Sequence, residues 1–221
     1  MRDEPLNDAM AWPVLRPAGE HLGRRILCYN EKGAAMNVFD FDKTIYDGDS
    51  TRDFFVYCLK KYPKTWKTLP RTGGCGMLFL LRLMPKTRFK QNFYRFVRCV
   101  PQIEQAVEAF WDSHMGRIQD WYCTIRQAGD LVISASPEFL LRPVCRRLGI
   151  LEPIASRVDA HTGIYTGLNC WGEEKVRRFR AQMGDQRVQK FYSDSRSDAP
   201  MAALAEQSFL IKDGKVLPWP W

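Results

Sequence analysis

The chain has 221 residues, a formal net charge of +8 and a hydrophobic fraction of 45%, the balance of a soluble globular domain of ordinary size with room for an insertion. It holds no run of about 18 apolar residues, which excludes a spanning helix, and its start shows no basic n-region followed by an apolar h-region, which argues against a secretory signal. Seven cysteines without a CxxC pair argue against a disulfide framework or a zinc site and point to reduced thiols in a cytoplasmic protein.

Residues 1–35 mix prolines, glycines and charges without a period and are expected to be a poorly ordered tail, either an extension or a stretch upstream of a start at Met36. MNVFDF (36–41) is a short apolar run ending in carboxylates, which predicts a buried parallel strand. Asp49 and Ser50 stand where a helix N-cap is expected, with Phe54, Phe55 and Cys58 following and Pro63 ending the helix. From 51 to 112 the apolar residues recur at helical spacing, so an all-helical insertion is expected there, basic outside and aromatic inside.

A helix from Ile118 leads to LVISAS (131–136), the second buried strand. Ser136 is expected to cap a helix with Pro137 as its first residue. PIASRV (153–158) and IYTGLN (164–169) alternate enough to be strands around a Thr162–Gly163 turn. A helix over 173–183, a strand at 189–194, a short helix at 199–205 and a last strand at 208–212 complete the series. Strands alternating with helices predict an α/β fold, a parallel sheet with helices on both faces. The core domain is expected at 36–50 and 113–221, with 51–112 as a helical cap.

Chemistry-bearing residues fall at the ends of these elements. Asp40 and Asp42 close the first strand and Ser134 closes the second. Lys175 opens a helix, and Asp194 and Asp198 follow a strand. A carboxylate can attack a phosphate monoester once cations offset the charge on its oxygens, and the covalent intermediate splits one difficult step in two. A second acid must protonate the departing oxygen. A hydroxyl and an ammonium can hold the phosphoryl oxygens. Taken singly, a DxD pair is usually a solvated turn, Lys175 a surface lysine and SDSRSD a capping loop; their order and their places at element ends set them apart.

The set resembles the haloacid dehalogenase (HAD) superfamily of phosphatases, through Asp40, Asp42 and Thr44 as DxDxT, then Ser134, Lys175, and Asp194 with Asp198. The resemblance covers about residues 36–221. It implies an HAD-like Rossmannoid fold and a Mg²⁺-dependent phosphatase working through an aspartyl phosphate. Asp40 is implied as nucleophile and Mg²⁺ ligand, and Asp42 as general acid/base with its carbonyl on the metal. Asp194 is implied as a direct ligand, with Asp198 behind it. Ser134, Lys175 and Thr44 are implied at the phosphate, with Thr44 bracing the loop. The cap after the first motif resembles subclass I, in its phosphoserine phosphatase-like and phosphatidylglycerophosphatase-like branches. Asp49, Ser136 and Glu138 are the candidates for substrate specificity.

Between Phe54 and Ile103 there is no Asp or Glu but there are eleven Lys or Arg. Such a stretch attracts anions. Its partner is expected to be a small phosphorylated metabolite or a lipid phosphate, with peripheral contact to an anionic membrane as a further reading; nucleic acid is not expected. A non-catalytic basic module is the alternative class, against which the intact acidic set speaks.

Overall fold

The computed structural model describes residues 35–83, 90 and 92–221, without the side chains of 71, 75 and 77–80. The expected tail lies outside the described residues apart from Ala35. So do Lys86, Arg88 and Phe89 of the insertion, and the side chains of Arg71 and Phe79.

Six strands form one sheet: β1 (Met36–Phe39), β2 (Leu131–Pro137), β3 (Ile154–Ser156), β4 (Val188–Ser193), β5 (Ala205–Lys212) and β6 (Lys215–Pro218). Their order is β3-β2-β1-β4-β5-β6. All neighbours are parallel except β5 and β6, which pair antiparallel. Alternate side chains enter different cores. Met36, Val38, Leu131, Ile133, Val188 and Phe191 pack on one face; Phe39, Val132 and Tyr192 pack on the other. A strand buried on both faces reads as a largely apolar run, and that is why β1 and β2 are legible without a regular polar alternation.

The helices among the described residues are α1 (Ser50–Lys61), α2 (Leu69–Leu80), α3 (Ile103–His114), α4 (Asp120–Ile125), α5 (Glu138–Leu148), α6 (Glu173–Met183) and α7 (Ala199–Ala202). None is long and apolar enough to cross a membrane. The segment between β1 and β2 is helical among the described residues, as its periodicity predicts. Its aromatic side chains interlock: Phe54 meets Phe110 at 5.3 Å, and Phe55 meets Phe93 and Phe96 at 4.9 Å each. The cluster does not stop at the segment's edge. Trp111 reaches Tyr46 and Phe41, and its Nε1 donates to the Leu140 carbonyl at 2.7 Å. One apolar core therefore spans the helical segment and one face of the sheet.

Three expectations need correction. IYTGLN (164–169) is not a strand; only Tyr165 makes an isolated bridge, to Val158. The segment is tied back by the Asp159 N–H on the Ile164 carbonyl and the Thr166 N–H on the Arg157 carbonyl, both at 2.9 Å, and the Asp159 carboxylate closes the turn ahead of it by accepting from the Thr162 N–H and hydroxyl at 2.7 and 2.6 Å. The strand over 208–212 is not the last, because Asp213 and Gly214, both at positive φ, turn the chain into β6. Pro137 ends β2, and the helix begins at Glu138.

Gly163 marks the loop's tightest approach. Its φ is +69°, and an added Cβ would stand 2.3 Å from the Tyr94 carbonyl oxygen. Gly163→Ala is expected to lower stability by about 1–3 kcal/mol, read as a fall in melting temperature; an unchanged melting point would refute the contact.

Asp130 gives a second test. Its buried carboxylate accepts from the Gln127 N–H at 2.7 Å and from Asn37 Nδ2 at 3.2 Å. Burial raises its pKa to about 6 against these two bonds. The unfolded value is about 3.9, so the carboxyl's stabilising contribution is complete below that pH and is lost as pH rises through about 6. The melting temperature of Asp130→Asn relative to the natural protein should climb between pH 4 and pH 7; a constant gap would contradict the shift.

Candidate active site

Ligand sites in open parallel sheets lie at the carboxyl ends of strands, where the strand order reverses. Here that point falls between β1 and β4. Asp40 follows β1 directly, and its N–H donates to the Tyr192 carbonyl at 2.8 Å, which keeps it in register with β4. The chain then folds back at once. The Phe41 carbonyl accepts from the N–H groups of Thr44, Ile45 and Tyr46, with Lys43 at φ +56°. That tight turn separates the two carboxylates. Asp42 turns toward the helical segment, where its Oδ1 accepts the Ser50 N–H at 2.8 Å and its Oδ2 accepts from the Ser136 hydroxyl.

Lys175 comes from the first turn of α6. Only 1% of it is exposed. Its Nζ stands 2.9 Å from Asp40 Oδ1 and 2.7 Å from Asp198 Oδ2. Asp198, on the 3₁₀ turn Arg196–Asp198 after β4, also accepts from the Ser193 hydroxyl at 2.7 Å. Burial pulls the Lys175 pKa down, but the two carboxylates outweigh it and the pKa is raised. Lys175 is therefore a fixed cation.

Asp40 tells the other half. Burial raises its pKa to about 7; Lys175 opposes, while Asp198 and Asp194 add to the rise. Burial first, then Asp198, also raises Asp194, with Lys43 opposing. Three carboxylates thus face one buried ammonium and an exposed Lys43 at the rim. Burial and the neighbouring Asp49 likewise raise Asp42, to about 6, against the hydrogen bonds from Ser136 and Ser50.

These groups open on one cavity of about 430 Å³. Asp40, Asp42, Ser134, Lys175, Asp194 and Asp198 all line it, so the residues singled out from the sequence converge. Asp49 and Ser136 line it as well. Two expectations change. Thr44 is fully buried and does not line the cavity; its hydroxyl accepts the Asp194 N–H at 3.1 Å, which braces the loop rather than binding phosphate. Glu138 turns away to pair with Arg142 at 2.8 Å, because its place in the first turn of α5 puts it one helical turn from that arginine. Thr51, Tyr94, Phe93, Trp171 and Lys90 line the cavity without having been anticipated. No motif marks them, since their places depend on how the helical segment packs. Of the described basic residues of that segment Arg52 and Lys90 line the cavity; Lys60, Lys61, Lys64 and Lys67 face solvent.

Among the described residues no group of three or more His, Cys, Asp or Glu is gathered to hold a metal. Magnesium does not require one: it is typically held by one or two carboxylates, with waters and phosphate oxygens completing an octahedron. Asp40 and Asp194 supply two such carboxylates at the cavity. The negative charge there exceeds what Lys175 balances, and Asp198 Oδ1 is buried without a partner. These residues fit a hard divalent cation.

Comparison with known proteins agrees. The family model described as haloacid dehalogenase-like hydrolase matches residues 38–203. A histidinol-phosphatase of Neisseria meningitidis serogroup C is 27% identical, over 84% of this chain and 96% of that one. Protein CicA of Caulobacter vibrioides is 28% identical, over 80% and 86%. A crystal structure of a Bordetella pertussis protein of unknown function superimposes with a TM-score of 0.62 at 18% identity, over 80% of this chain and 89% of that one, and shares the fold.

Removing one partner from a buried ionic cluster strands the others and typically costs about 3–5 kcal/mol. Lys175→Met should therefore lower the urea midpoint markedly at pH 7.5. A midpoint equal to that of the natural protein would mean that Asp40 and Asp198 are not buried as described.

Proposed function

The chain belongs to the haloacid dehalogenase-like hydrolases and is a phosphomonoesterase, and from that premise we propose that it hydrolyses a small phosphorylated metabolite, with Mg²⁺, by passing the phosphoryl group through Asp40. The observation that carries this reading is the pairing of two carboxylates with different surroundings at one cavity: Asp40 held 2.9 Å from a buried ammonium, and Asp42 turned toward hydrogen-bond donors.

Asp40, Asp194 and the Asp42 carbonyl would hold the cation. When bound, the cation neutralises charge on the phosphoryl oxygens. Lys175 and Ser134 orient those oxygens. The Asp40 carboxylate attacks phosphorus; the bond from phosphorus to the ester oxygen breaks, and Asp42 gives its proton to that oxygen as the alcohol leaves. Asp42, now ionised, takes a proton from water, and the hydroxide attacks the phosphoryl group on Asp40. Inorganic phosphate leaves, and both carboxyl groups return to their starting states.

The cavity is less cationic than the whole chain. Asp49 lines it together with Phe93, Tyr94 and Trp171. An acid among aromatic rings suits an alcohol bearing a cationic or planar group, and the similarity to a histidinol-phosphatase supports that class. Phosphate release should be measured from a panel holding histidinol phosphate, phosphoserine and a lipid phosphate in mixed micelles, with Mg²⁺ and with chelator. Mg²⁺-dependent release favouring the soluble amines is expected. Asp40→Asn should lose at least about a thousandfold of the rate while still unfolding in a single cooperative transition. An active Asp40→Asn protein would sink the mechanism, and preference for the lipid ester would overturn the substrate class.

A further inference from the structure

Ser136 and Thr51 have no part in the phosphoryl transfer above, yet their hydroxyls reach it. Ser136 lies at the end of β2 with 5% of its surface exposed. Its hydroxyl donates to Asp42 Oδ2, and its N–H donates to Ser134 Oγ at 3.1 Å. A serine hydroxyl has one hydrogen and two lone pairs. With that hydrogen directed at Asp42, the Ser136 oxygen accepts from Thr51 Oγ1, which stands 3.1 Å away on α1. The protons therefore run in one direction, from Thr51 to Ser136 to the carboxylate. Aligned hydrogen bonds of this kind polarise one another and fix the acceptor's geometry. The other carboxylate oxygen is fixed independently by the Ser50 N–H at 2.8 Å.

We infer that Ser136 and Thr51 are positioning residues that aim Asp42 at the leaving oxygen, so that proton delivery depends on the helical segment being seated against β2. The inference rests on the phosphatase reading and adds to it a part that phosphate contacts do not supply. Of the two hydroxyls, that of Thr51 belongs to the helical segment and that of Ser136 to the strand that also carries Ser134. A shift of α1 away from β2 breaks the series at the 3.1 Å contact and leaves one carboxylate oxygen of Asp42 with a donor that is itself unsupported.

A departing alkoxide needs the proton of Asp42, whereas a nitrophenolate departs without it. The test compares the natural protein, Ser136→Ala, Thr51→Val and Thr51→Ser on p-nitrophenyl phosphate and on the best alkyl phosphate of the panel. General acid catalysis typically contributes a hundredfold or more, so misaiming the acid should lower the alkyl-to-aryl ratio of kcat/KM by about tenfold in Ser136→Ala and Thr51→Val. Thr51→Ser, which keeps the hydroxyl, should hold the ratio of the natural protein. Equal losses on both esters, or a Thr51→Ser protein as impaired as Thr51→Val, would overturn the inference while leaving the phosphatase standing. Should Ser136→Ala fail to fold, the two Thr51 variants decide the matter alone. A natural protein inert toward every ester would bring down the phosphatase reading and this inference together.

Discussion

Lys175 keeps its charge while almost fully buried, and only the carboxylates of Asp40 and Asp198 make that tolerable. The desolvation of an ammonium is offset only by close, well-oriented partners. Those partners must come from elsewhere in the chain: Asp40 lies 135 residues from Lys175 and Asp198 lies 23 away. The sheet order supplies the meeting point, because β1 and β4 are neighbours and both point their carboxyl ends at the first turn of α6. The tight turn around the Phe41 carbonyl, the left-handed Lys43 and the Thr44 hydroxyl on the Asp194 N–H all serve to hold that point in place.

Around this cluster the two aspartates of one short motif acquire different characters. Asp40 is tied to the buried cation and shares its space with two more carboxylates. Asp42 is turned away by the intervening bend and meets amide and hydroxyl donors instead. A separation of two residues in a strand would put both side chains on one face; the chain leaves the strand after Phe39, and that departure lets them differ. The basic residues of the helical segment take little part, since those described lie mostly on its outer surface. The field they create acts on approach, and contact chemistry at the cavity falls to Lys90, Thr51 and the aromatic wall.

Much of this was legible from residue order. Strands buried on both faces announce themselves by apolar runs, and β1 and β2 were readable for that reason. Asp40, Asp42, Ser134, Lys175, Asp194 and Asp198 were readable as a group because each stands at an element's end. The failures share a cause as well. Glu138 follows the second motif in sequence, but the helix that starts there turns it to Arg142. Residues 164–169 alternate like a strand, yet their pairing goes no further than the isolated bridge between Tyr165 and Val158. Thr51, Tyr94 and Trp171 reach the cavity through packing across distant segments, for which no local pattern exists. Ser136 stood out as a candidate for substrate contact; its partner in the folded chain is Asp42.

The aromatic interior shared by the helical segment and the sheet has an evolutionary consequence. Phe54, Phe96, Phe110 and Trp111 pack in a cluster continuous with Phe41 and Val132, so substitutions there are filtered for folding before they are filtered for substrate. A lineage that changes substrate has little freedom at those positions. Its freedom lies at side chains that touch the cavity but stay outside that cluster, such as exposed Arg52 and Trp171. Divergence among descendants of this chain should therefore concentrate on the cavity's rim and leave its aromatic foundation nearly silent.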